Sequence, residues 1–231
     1  MTRPLPLCLA VILSTLPLAA SAQDFGASLG LELGRNTQRS ENFKRIESRF
    51  AIDFASRWGL QVDVAAAKYE GATSTAPSGA FHLTYAASPD WTLGVYIAGD
   101  DLRPGNYVYY GIEAAYDGPR LSVDFNAAAI DAVNSSLSGS RFGMDLVYGL
   151  GPVGNGQLSV LAGGAVQSLT GGDRQMGYVG VRYGWQNGVN LDLTVGQTDV
   201  GDTTMAFALR FDLGRKPHFG ARDTRGLFPA Y

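Results

Sequence analysis

The sequence predicts an all-β chain, folded as a transmembrane up-and-down antiparallel β-barrel of about twelve strands. Three observations carry that prediction. In Met205-Ala206-Phe207-Ala208-Leu209-Arg210-Phe211-Asp212-Leu213 every odd position is large and apolar, and every even one is Ala, Arg or Asp. A period of two belongs to an extended strand with one apolar and one polar face. The same alternation returns about twelve times between turn signals, and it follows an N-terminal export signal. Repeated around a closed sheet with the apolar face outward, it is the pattern of a barrel that crosses a membrane.

Residues 1–22 read as a removable signal peptide. Arg3 supplies the basic start, Leu5 to Leu18 the apolar stretch, and Ala20-Ser21-Ala22 the small-x-small cleavage site, so the mature chain begins at Gln23. The apolar stretch is shorter than the ~20 residues of a spanning helix and contains Pro17. Cys8, the only cysteine, lies near the start of that stretch and not at its end, where a lipid-anchored cysteine would be. The mature chain is therefore expected to hold no disulfide, thiol nucleophile or cysteine metal site. No apolar run after the signal is long enough for a spanning helix. Any crossing must be made by strands, closed on themselves so that no edge faces lipid. Lys and Arg number 18 against 21 Asp and Glu, a near-neutral balance that gives no ground for a nucleic-acid partner.

The barrel is assigned to residues 23–213. Its candidate strands are 25–34, 43–57, 59–69, 79–87, 91–99, 106–116, 120–130, 141–149, 157–167, 175–185, 189–198 and 203–213, most near the ~9–11 residues a tilted strand needs to cross a bilayer. Ten or fourteen strands fit if one hairpin is misjudged. Connections alternate in character. Arg57-Trp58-Gly59, Ser88-Pro89-Asp90, Asp117-Gly118 and Asn187-Gly188 are tight, and Gly151 to Gly156 is somewhat longer. Asp-Gly and Asn-Gly are two-residue hairpin signals, since Gly accepts the positive φ of such turns. The other set is longer and polar, such as Asn36 to Asn42, Gly71 to Ser78, Asp131 to Ser140 and Asp199 to Thr203, and its third member, Asp100 to Asn106, is too short to reach far inside. Six longer loops and five short turns put both termini at the short-turn end, the arrangement of an even-stranded barrel.

The apolar face runs through Leu29, Leu31 and Leu33, then Phe50, Ile52 and Phe54, then Leu60, Val62 and Val64. It continues through Trp91, Leu93, Val95 and Ile97 to Val179, Val181, Tyr183 and Trp185. The other face carries the charges together with many Gly and Ala. A soluble β-protein would turn a Lys- and Glu-rich face to water, yet after the signal only Lys44, Lys68 and Lys216 are lysines. Trp58, Trp91 and Trp185 fall on the apolar face beside short turns, with Tyr85, Tyr116 and Tyr148 nearby. Trp58, Trp91, Trp185, Tyr116 and Tyr148 are the expected aromatic girdle, with ring bodies in lipid and polar edges wet.

The signal peptide, the alternating strands, the short turns and the closing Arg210-Phe211-Asp212-Leu213-Gly214 resemble Gram-negative outer-membrane β-barrels, particularly the porin-like ones. That resemblance covers the whole mature chain at the level of pattern, without a diagnostic motif. It implies the cell outer membrane as location, with outer-membrane lipid and lipopolysaccharide and the barrel-assembly machinery as partners. One departure stands out. Such barrels usually finish on an aromatic closing the last strand, whereas here residues 214–231 follow as a basic C-terminal tail. Either this tail is a periplasmic extension, or Phe228 to Tyr231 supplies the terminal signal despite Pro229.

For the lumen, parity assigns Glu32, Arg45, Arg49, Asp53, Glu113, Asp124, Asp145, Arg182, Asp192, Arg210 and Asp212 as the pore-lining charges. Paired, they would brace the wall; facing an open passage, they would filter small hydrophilic solutes. The expected function is passive diffusion through a porin-like channel with weak ion selectivity, and no cofactor. The alternatives are a closed barrel with a structural or interaction role, a lipid-acting barrel enzyme, or a soluble periplasmic β-protein. The enzyme reading is thin. His82 points inward by parity, Ser48 and Ser56 point outward without a His partner, and no Gly-x-Ser-x-Gly elbow occurs. No metal site is expected, since Asp100-Asp101 and Asp199 with Asp202 are loop carboxylates without calcium-loop spacing. A monomer is expected. The tail, with Arg215, Lys216, Arg222 and Arg225 against Asp223, reads as an extension, a plug for the acidic lumen or a cell-wall contact.

Overall fold

The computed structural model describes residues 25–220, apart from 39, 55, 103–104 and 134–135. The signal peptide and residues 221–231, including the terminal aromatics, lie outside the described residues. Twelve strands follow in chain order: β1 (Phe25–Asn36), β2 (Glu41–Asp53), β3 (Trp58–Tyr69), β4 (Ala76–Ala86), β5 (Trp91–Leu102), β6 (Gly105–Asp117), β7 (Leu121–Ala132), β8 (Ser138–Val153), β9 (Gly156–Leu169), β10 (Gly172–Trp185), β11 (Val189–Thr198) and β12 (Thr203–Gly214). Each pairs antiparallel with its sequence neighbours. β1 and β12 pair from Gly26 opposite Gly214 to Asn36 opposite Thr204, so the sheet is a closed barrel of the expected strand number.

Several boundaries differ from the expectation. Residues 43–57 divide: β2 ends at Asp53, the chain turns, and Trp58 begins β3, so Ser56 is a turn residue and not a lipid-facing one. Phe54 lies just beyond β2 and is exposed. Most strands run further at the polar end than expected. Asp100 belongs to β5 and is buried inside, where it accepts a hydrogen bond from Tyr109 Oη at 3.1 Å, and is not a loop carboxylate. The alternation continues through these polar residues because the lumen, like a loop, is wet. The contrast between long and short connections shrinks with it. Gly118 does not take a positive φ, and Gly118-Pro119-Arg120 makes a three-residue connection; Gly188 takes φ +83° in the turn after Trp185. β8 reaches Val153 through an irregularity between Gly149 and Gly151, which shortens the next turn to Gly154-Asn155. The start of β1 and the end of β12 both lie at the short-turn end.

The outward face is apolar all round. Ile112 is 64% exposed and Val179 62%, and exposed Leu31, Phe50, Leu93, Phe142 and Phe207 continue the belt on other strands. An apolar jacket of this extent is far larger than a soluble monomer tolerates. At the short-turn end Trp58 stands opposite Tyr85 with ring centroids 4.9 Å apart, and Trp91 opposite Tyr116 at 5.2 Å. Tyr183 meets Trp185 edge-on at 4.7 Å, and Tyr148 is exposed opposite Leu121. All five girdle residues therefore share one end of the barrel.

The interior is asymmetric. On the β4–β7 side Tyr96, Tyr109, Ala98, Ala128 and Ile130 pack into the lumen toward the polar-loop end. Tyr96 and Tyr109 are inward aromatics that break the rule of large residues outside. The β1–β2 and β8–β12 walls, together with the short-turn halves of β6 and β7, instead border open space.

Candidate functional site

Register builds the site. In an antiparallel pair directly opposed side chains share a face, so inward charges on neighbouring strands meet. Glu32 of β1 is opposite Arg45 of β2, and Arg182 of β10 is opposite Asp192 of β11. Arg182 Nε donates to Asp192 Oδ1 at 2.6 Å and Nη2 to Oδ2 at 2.8 Å, the two-point guanidinium–carboxylate geometry. Arg45 reaches Glu32 at 3.2 Å and Glu47 at 2.8 Å. Arg210 of β12 lies between, 3.5 Å from Glu47 and 3.4 Å from Asp192. One ion-paired sheet of side chains thus covers the inner wall from β2 through β1 and β12 to β10.

Across the lumen, Asp124 of β7 stands directly opposite Asp145 of β8. Like charges so placed repel unless other groups hold them. Tyr178 Oη donates to Asp145 Oδ1 at 2.6 Å, and the Gly220 N–H donates to Asp124 Oδ2 at 2.7 Å. Arg141 faces the same space, and its Nε and Nη1 hold no hydrogen bond among the described residues.

Between the two walls lies a cavity of about 230 Å³. Eight of the eleven expected pore-lining residues border it: Glu32, Arg45, Arg49, Asp124, Asp145, Arg182, Asp192 and Arg210. The other three are elsewhere on the inner face. Asp53 and Asp212 sit at the short-turn mouth, where Asp212 accepts from Asn190 Nδ2 at 2.8 Å. Glu113 belongs to a packed cluster around His82. That histidine is 0% exposed, with Nδ1 2.7 Å from Glu113 Oε1 and Nε2 3.2 Å from Asp63 Oδ2, so both ring nitrogens are engaged by carboxylates. Parity points His82 inward, but alternation along one strand does not show that its ring reaches Asp63 on the neighbouring β3 and Glu113 on β6, two strands away.

Residues 215–220 enter the lumen, which sequence reasoning left as one of several alternatives for the tail. Gly214 takes φ +67°, a conformation open to glycine, and turns the chain inward off the end of β12. The Arg215 N–H donates to the Phe25 carbonyl at 3.0 Å. Arg215 and His218 both reach Asp53, at 2.6 Å and 3.1 Å, and Lys216 reaches Asp117 at 3.5 Å. Phe219 is 1% exposed, its ring stacked on His82 at 6.0 Å. Lys216, His218, Phe219 and Gly220 all border the cavity at this end. A Phe followed by Gly after the last strand carried no signal for this position, since the seat is made by four distant strands.

No protein-family model matches the chain, and neither does any curated protein sequence. Solved structures do. The chain is similar to the NanC porin, with TM-score 0.64 and 8% identity over 79% of this chain and 98% of that one. It is similar to the KdgM porin at TM-score 0.58 and 13% identity, covering 80% of this chain and 98% of that one. The KdgM porin in complex with disordered oligogalacturonate gives TM-score 0.57 and 12% identity over the same shares. At such identities the likeness is one of fold, and the fold is that of these porins.

Proposed function

We propose that this chain is an outer-membrane channel for passive diffusion of small hydrophilic solutes. The observation that carries the reading is a charged, water-accessible lumen inside a barrel whose whole outer belt is apolar. Such an exterior is suited to lipid, and such an interior to water. The porin fold of the similar structures supports the reading, as does the aromatic end. The chemistry is filtration: a solute passes if it fits the gap and exchanges its hydration for the wall's charges. Arg45, Arg49, Arg141, Arg182, Arg210 and Lys216 border the cavity, against Glu32, Glu47, Asp117, Asp124, Asp145 and Asp192. Six against six, leaving His218 aside, supports weak ion selectivity.

Single-channel recording of the protein refolded without residues 1–22 tests this. Discrete steps proportional to salt concentration are expected, with the reversal potential moving toward cations in Arg182→Ala. If inserted protein gives no steps, either as the full mature chain or ending at Gly214, the channel reading is wrong. A closed barrel without transport is the second reading, and the segment lodged in the lumen is the observation that favours it.

A further inference from the structure

We propose that the lumen contains a built peptide-binding site, that its resident ligand is the chain's own segment 215–220, and that this segment is the stopper of the channel. The inference rests on the channel reading above. What distinguishes the segment from a tail lying against a wall is how completely the barrel is shaped to receive it.

The main-chain groups of Phe219 are read individually. Gln61, fully buried, accepts from the Phe219 N–H through Oε1 at 3.1 Å and donates to its carbonyl through Nε2 at 3.0 Å. Its amide thus pairs with the segment much as a neighbouring strand would, which is how proteins hold extended peptides. Arg49 Nη1 donates to the same carbonyl at 3.3 Å, and Asp124 accepts the next N–H, that of Gly220. The ring has its own seat. A Cβ at Gly94 would lie 2.7 Å from the Phe219 ring, so β5 is hollowed where the ring enters, with the His82 imidazole as its floor.

Charge brings the segment there. Its three cationic or protonatable side chains all face carboxylates at the mouth, Asp53 and Asp117. Phe219 meets Arg49, which lies four residues up β2 from Asp53, so the segment reaches roughly 10 Å into the barrel, given a strand's rise per residue and a tilt of about 40°. Among the described residues its polar contacts are single hydrogen bonds and ion pairs of which Arg215 and Lys216 stay more than half exposed, and Gly214 joins it to β12. A short tether supplies an effective concentration in the millimolar range, enough to keep a weak ligand seated while letting it leave.

Four channels decide it: the mature chain, a chain ending at Gly214, the full chain with Phe219→Gly, and the shortened chain with added peptide. The peptide is Arg-Lys-Pro-His-Phe-Gly, capped at both ends and supplied at millimolar concentration. Shortening and Phe219→Gly are each expected to raise conductance several-fold over the mature chain. The peptide is expected to block the shortened channel in a concentration-dependent way, and its Phe→Ala analogue to do so much less. Equal conductance of mature chain, shortened chain and Phe219→Gly overturns the stopper while leaving the channel intact. Failure of the peptide to block an open shortened channel overturns the binding site. Silence from every inserted form overturns the channel itself, and the stopper with it.

Discussion

Asp192 is where charges from three strands converge. Its carboxylate takes two hydrogen bonds from Arg182 and lies 3.4 Å from Arg210, with its own side chain almost wholly buried. Replacing it with Asn keeps the shape but leaves both guanidiniums short of an anion, at a cost on the order of 1–3 kcal/mol. Thermal unfolding in detergent should show Asp192→Asn melting lower, and an unchanged melt would mean that water already screens the pair. His82 is the second such residue. His82→Phe retains the stacking surface for Phe219 but takes from Asp63 and Glu113 the ring nitrogen that each contacts, so it should destabilise the barrel more than Glu113→Gln does. Parity made Arg182, Asp192 and His82 legible as inward residues, because a strand has only two faces. The same parity turns Tyr96, Tyr109 and Tyr178 inward, but how much of the lumen their rings fill depends on space that only the closed barrel defines. Parity could not rank the eleven charges either, since bordering the cavity depends on what fills the opposite wall.

A single strand already contains the opposite demands of its two faces. In β6 and β7, Ile112 points out near mid-strand while Asn126 points in and is buried. Ile112→Arg should cost about 2–4 kcal/mol in lipid, the penalty for a cation near the bilayer midplane. A charge added at the inward Ala115, beside the cavity, should cost much less. Urea titration of the two variants refolded in vesicles makes the comparison, and equal sensitivity would remove the case for a lipid-facing exterior. The tilted aromatic pairs Trp58–Tyr85 and Trp91–Tyr116 contribute about 0.5–1.5 kcal/mol each beyond area burial. Trp91→Ala should accordingly lower stability in vesicles more than Val95→Ala. Existence and order of the strands were readable at this scale, while their ends were not. Polar residues of a lumen and of a loop look alike in sequence, which is why Asp100 moved from a loop to β5. The extra residue in β8 was hidden for a different reason: Gly149 and Gly151 serve a turn or an irregular strand equally well.

For the molecule as a whole, closure follows from the need to leave no unpaired strand edge in lipid, and function from what the closed wall encloses. The asymmetric interior, packed on one side and open on the other, narrows any passage to the region bordered by the ion-paired wall and the Asp124–Asp145 wall. The stopper segment does something else as well. Its partners run from Phe25 of β1 through Arg49, Asp53, Gln61 and His82 of β2 to β4 and on to Asp117 of β6 and Asp124 of β7, although it follows the last strand, with contacts spanning up to 190 positions. It therefore lies across the seam where β12 meets β1, the one junction that no turn links covalently. A barrel folding by sequential hairpins completes that seam last, because its loop is the longest to close. A clasp made from the final residues then holds the final joint. Amide exchange along the Gly26–Asn36 edge should be slowest in the mature chain and should quicken in the chain ending at Gly214 before any other strand pair responds.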